Sequence, residues 1–169
     1  MIPVTRPSER ITYYNSKGEQ VFVLEPYEGK EITSVMGGFR DGMATFVNED
    51  GSCGAINSKG EVKIKPIYSN LGNFSEGHTY AFKPSDANSS AEPDKDETAP
   101  VYIINKKGEE VAKVEGLEFH SIMVNGLFAV TKGERWGFVD KKRHKQLWQN
   151  RQRAVDEIRR LNILRVIGP

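Results

Sequence analysis

The sequence predicts a mainly β protein: tandem antiparallel three-stranded meanders or β-hairpins, stacked into one domain and followed by a C-terminal amphipathic helix. The first observation behind this is a period. Phe39 and Phe74, and likewise Gly42 and Gly77, stand 35 residues apart in FRDGMATF and FSEGHTYAF. Asn15, Asn57 and Asn105 open the SKGE or KKGE turns, with Asp140 in the same place; the last two are again 35 apart and the other spacings are 42 and 48. A shared period of this size marks stacked repeats, and the longer spacings mark insertions. The second observation is local. MATFV, CGAIN and EVKIK are short runs rich in β-branched and aromatic residues, the pattern of strands. Asp50-Gly51 and Lys59-Gly60 separate them, and glycine makes both good hairpin turns. Each such unit cannot bury its apolar side chains alone, so the copies are expected to share a single apolar interior.

In chain order, ITYYNSKGEQVFVL (11–24) supplies the second and third strands of a repeat, whose first strand is either missing or drawn from residues 2–4. Residues 25–36 form a lengthened connector. Tyr13, Tyr14 and Tyr27 suggest a ligand platform, but alternation puts at least one of the adjacent pair on the packed face, and packing is the expected role of all three. The complete unit runs over 39–66, an irregular connector over 67–75, and the next unit opens at Phe74. The segment 84–100 is poor in large apolar residues and nets −4, so a mobile acidic loop is expected. Its Asp94, Asp96 and Glu97 lack the glycine and spacing of a calcium loop. The repeat resumes at VYIINKKGEEVAKV (101–114) and at GLFAVTKGERWGFVDKK (126–142). Trp136-Gly137 fills the slot held by Cys53-Gly54 and by Val101-Tyr102, where glycine leaves room for a large side chain to lie against the strand.

The boundary falls at 142: residues 1–142 form the repeat domain and 143–169 a basic helical cap or tail. From 141 on, the chain carries nine basic and two acidic residues, and Val155, Ile158, Leu161 and Leu164 recur at helical spacing. Covering the open end of the stack is the expected role of that helix, ahead of contact with an acidic partner.

GLFAVTKGERWGFVDKK, with the turn FSEG at 74–77, the strand ending at Pro66 and Tyr68 beyond it, resembles the WG repeat of bacterial proteins. The resemblance covers about 11–142 and implies tandem β-hairpin units; it carries over no catalytic residues. This chain departs from the pattern in three ways: one Trp-Gly pair, an inserted acidic loop, and Arg143 where a glycine is expected.

Composition excludes several functions. The whole chain of 169 residues nets +1, which argues against a nucleic-acid partner outside the basic tail. No apolar run reaches the ~18 residues of a membrane span, and MIPVTRPSER has no signal-peptide core, so a cytoplasmic location is the default expectation. Cys53 is the single cysteine and can form neither an internal disulfide nor a structural zinc site. No catalytic constellation, metal site or cofactor motif is found. The nearest approach to an acid/base pair is His78 and His120 brought to a common edge by stacking of the repeats, acting there with Glu76 or Glu118; a lone histidine near a strand is more often structural. The expected function is a non-enzymatic binding or interaction module whose connectors present Tyr68, Phe74, Phe119 and His120 to an unknown protein, peptide or glycan partner. The alternative is a glycan-acting hydrolase using connector carboxylates.

Overall fold

The computed structural model describes residues 1–5, 9–84, 99–120 and 123–141. The expected helix of 143–169 and nearly all of the acidic loop of 84–100 lie outside them.

The meanders form as the turns dictate. At Asn15, Asn57 and Asn105 the side-chain oxygen accepts the backbone N–H groups two and four residues on, at 2.9 to 3.1 Å. Each amide nitrogen then donates to the glutamate that closes the turn (2.6 to 2.8 Å). The same bonds recur three times, so the motif read from the sequence is one physical object, a side chain substituting for backbone in a tight turn.

Four antiparallel sheets are built this way among the described residues. The first contains β1 (Ile2–Val4), β2 (Thr12–Tyr14) and β3 (Gln20–Val23), so residues 2–4 do supply its first strand. The second contains β4 (Ile32–Arg40), β5 (Met43–Asn48), β6 (Cys53–Asn57) and β7 (Val62–Tyr68). The third contains β8 (Asn70–Leu71), β9 (His78–Phe82), β10 (Val101–Asn105) and β11 (Glu110–Val114). The fourth contains β12 (Glu118–Phe119), β13 (Leu127–Lys132) and β14 (Arg135–Asp140).

The connectors are less irregular than expected. β4, β8 and β12 come from them, and each pairs with the strand that follows, giving the second and third sheets a fourth strand. The cause lies in the turn between: Asp41-Gly42 holds φ of 51° and 76°, and Glu76-Gly77 holds 50° and 78°. Two successive left-handed residues turn the chain back along itself.

The interior also differs from a single shared core. It is divided into layers, because each sheet separates the clusters on its two faces. Tyr13, Phe46 and Ile56 pack between the first and second sheets. Ile64, Tyr68, Phe74 and Tyr102 fill the space between the second and third, and Ile103, Val114, Phe128 and Val139 that between the third and fourth. The central strands are therefore covered on both sides, and β10 shows four consecutive buried residues. Tyr13 stacks on Phe22 with centroids 4.7 Å apart, and burial pushes its phenol up to about 12.

A second repeated device ties one sheet to the next. The Asp41 carboxylate accepts the Gly77 N–H at 2.6 Å, and the Glu76 carboxylate accepts both Asn125 and Gly126 N–H at 2.7 Å. Each acidic turn clamps the corresponding turn of the following unit through charge-assisted bonds. Lys106 adds an ion pair to Asp41 at 2.7 Å. Its ammonium, with the Gly77 N–H and the nearby charges, holds the Asp41 carboxyl below its ordinary value. A carboxyl depressed in the fold stabilises it above the unfolded value near 4 and loses that contribution as pH falls through the folded value. Asp41→Asn should accordingly be less stable than the parent at pH 7 by about 1 kcal/mol, the size of a partly exposed charged bond. Urea unfolding at pH 7 and pH 2.5 should show the two proteins converging at the lower pH; a constant difference would rule out this role for Asp41.

Candidate functional site

The four residues expected to face a partner are not gathered on one surface. Tyr68 and Phe74, 2% and 1% exposed, are plugs in the layer between the second and third sheets, so neither offers its ring to a ligand. Phe119 is half-buried in the next layer, its ring centroid 5.4 Å from Phe128 and 5.9 Å from Tyr80. The connectors do recur in register, but their rings fill the gaps between successive sheets.

His120 is exposed at the edge of the fourth sheet. The Thr131 hydroxyl donates to Glu118 at 3.2 Å, so the His120 Nε2, 2.8 Å from the same oxygen, must be the donor to it. Glu118 and His120 are themselves 3.7 Å apart, and the Trp136 ring lies 5.0 Å from the imidazole. Glu76 does not serve His78 through its carboxylate. His78 Nδ1 lies 2.8 Å from the Glu76 backbone oxygen, while the Glu76 carboxylate is committed to the two turn amides. No three His, Cys, Asp or Glu side chains among the described residues are placed to hold a metal ion. The Cys53 thiol is buried and burial pushes it up, away from the reactive thiolate.

The site that geometry builds lies elsewhere, in the lengthened connector after β3. There Tyr27 and Lys30 exchange backbone bonds at 2.9 and 3.1 Å around Glu28-Gly29, both with positive φ (51° and 83°). This second tight turn is fastened to the β5–β6 hairpin by Lys30 Nζ on Asp50 Oδ2 at 2.5 Å, and by the Glu49 N–H on the Glu31 carbonyl. The pair raises Lys30 and drives Asp50 well below the carboxylate range, Asp50 also accepting from Ser52. Between the turn and the outer strand β7 lies a cleft of about 280 Å³, lined by Tyr27, Glu28, Lys30, Asn48, Lys65, Pro66 and Ile67.

Asn48 is the unusual member. It is 1% exposed, on the face of β5 that also carries Ala44 and Phe46, and no protein group bonds either its Oδ1 or its Nδ2. A buried amide left so costs about 1–3 kcal/mol. Tyr27, half-buried, forms part of the wall, and burial and the Glu28 charge raise its phenol. A sequence signal for this site existed: a polar residue at an inward position of a strand, beside a connector lengthened by a Tyr-Glu-Gly-Lys turn.

Residues 54–83 match the family model described as the WG containing repeat. That stretch is a WG repeat. The matched stretch starts at Gly54, the glycine of the Cys53-Gly54 slot, and runs through the rest of β6, β7, the connector and β9. No curated protein matches the chain. Among solved structures it is similar to the computationally designed Ika8 protein, with 10% identity and a TM-score of 0.48 over 82% of this chain and 42% of that one. It is likewise similar to BamB from Moraxella catarrhalis, with 10% identity and a TM-score of 0.47 over 88% and 48%. The chain thus spans less than half the length of either structure. No helix among the described residues is long and apolar enough to cross a membrane.

Proposed function

We propose that this chain is a non-enzymatic binding module and that its ligand enters the cleft between the Tyr27–Lys30 turn and β7. The observation that carries this reading is the Asn48 amide, buried in the cleft lining with donor and acceptor both unpartnered. A polar group carrying such a cost is explained when a ligand completes its bonds. The fixed turn supports the reading as well, since a wall fastened by Lys30 and Asp50 keeps the opening formed before the ligand arrives. Binding is favoured over hydrolysis because Glu28 is the single carboxylate in the cleft lining, whereas cleaving a glycosidic bond normally takes two.

The test is Asn48→Leu, a change close to isosteric that removes both unbonded atoms. Thermal or urea unfolding should show the variant more stable by about 1–2 kcal/mol, while ligand binding is lost. A variant less stable than the parent would mean that the amide is already satisfied within the protein, and the cleft would lose its claim.

A further inference from the structure

We infer that the cleft takes one saccharide unit, with the Asn48 amide bonded to two neighbouring hydroxyls of the ring. The inference rests on the reading of the cleft as the ligand site. An amide side chain presents an acceptor and a donor next to each other, and here both are buried and unbonded. The complementary ligand must offer a donor and an acceptor on adjacent atoms. Two ligand chemistries do so: a vicinal diol, in which each hydroxyl can donate and accept, and the N–H and C=O of one residue in an extended peptide.

The surroundings favour the diol. A peptide reaching Asn48 would run beside β7, the outer strand of its sheet, and draw its affinity from main-chain bonds to that edge. Pro66 stands within β7 at the cleft wall and has no N–H to give, so the edge is interrupted where the ladder would form. Size agrees: a cleft of about 280 Å³ is at the small end of ligand pockets and suits one ring better than a run of residues. The Tyr27 and Pro66 rings and the Ile67 side chain, which is 55% exposed, give apolar wall against which the C–H face of a sugar can lie. Glu28 and Lys65, both exposed, supply an acceptor and a donor for its remaining hydroxyls. Lys30 is held by Asp50 and is assigned to the wall.

The experiment uses the full chain, labelled with ¹⁵N and titrated with the methyl glycosides of glucose, galactose, mannose and N-acetylglucosamine. A blocked dipeptide, acetyl-Ala-Ala-methylamide, serves as the peptide probe. At least one glycoside should shift the Asn48 side-chain amide pair saturably, and Asn48→Leu should weaken its binding, followed on the backbone amides around Tyr27, at least tenfold. Since that variant is expected to gain stability, the loss is not an unfolding effect, and Tyr27→Ala should weaken the same glycoside while the backbone amides of the third and fourth sheets, remote from the cleft, keep their positions. If the dipeptide alone shifts the Asn48 amide, the saccharide inference fails and the cleft remains a ligand site. If no probe shifts it, both fail.

Discussion

Phe74→Ala should cost the fold about 4 kcal/mol, within the 3–5 kcal/mol typical of an aromatic ring deleted from a core. Phe74 is 1% exposed and plugs the layer between the second and third sheets with Tyr68, Leu71 and Tyr102, so the truncation leaves a void that two hydrogen-bonded sheets cannot close. Against a domain stability of about 5–15 kcal/mol, the urea midpoint should fall far enough to be plain in a single titration. Had Phe74 been displayed to a partner, the same substitution would alter stability by no more than about 0.5 kcal/mol. A midpoint near the parent's would return the residue to the surface. Phe119→Ala, at a half-buried site, should lose less.

The second large effect is expected at Gly54, which faces Phe46 across the β5–β6 pair. A methyl group there would lie 2.6 Å from the Ile64 carbonyl oxygen, and 2.7 and 2.9 Å from two carbons of the Phe46 ring. Part of that clash is with backbone and cannot rotate away, so Gly54→Ala should destabilise by about 3 kcal/mol, the upper range for overpacking. The same change in a Phe46→Ala background should cost less by about 1 kcal/mol or more, because the ring half of the clash is gone. Equal costs in the two backgrounds would show that the ring is not what the glycine accommodates.

The register explains why this slot varies between repeats. Phe46 lies opposite Gly54, Ala81 opposite Tyr102, and Val130 opposite Gly137. In the second and third sheets the space holds one ring, contributed by either strand, with a small residue across from it. In the third sheet the glycine of the signature has thus given way to the Tyr102 ring, with Ala81 as the small residue across from it, an exchange that alignment of the repeats shows only once cross-strand partners are known.

The sequence by itself determined the period, the strands and the turns. These are local matters: Asn15, Asn57 and Asn105 bond within five residues of themselves, and a glycine with positive φ acts on its own neighbours. Local rules also put at least one of Tyr13 and Tyr14 on the packed face and offered residues 2–4 as one of two possibilities for the first strand; the structure chose Tyr13, and Ile2–Val4 is that strand. What the tertiary structure decided was which side of each connector faces inward. Tyr68 and Phe74 read as exposed because connectors usually lie on surfaces, yet the stacking of one sheet on the next turned them into plugs. The cleft was out of reach for the same reason. Tyr27, Asn48 and Lys65 are far apart in the chain, and they meet only because an inserted turn is drawn down by Lys30 onto Asp50 of a neighbouring hairpin. Periodicity reports what repeats, whereas this cleft depends on an insertion that does not.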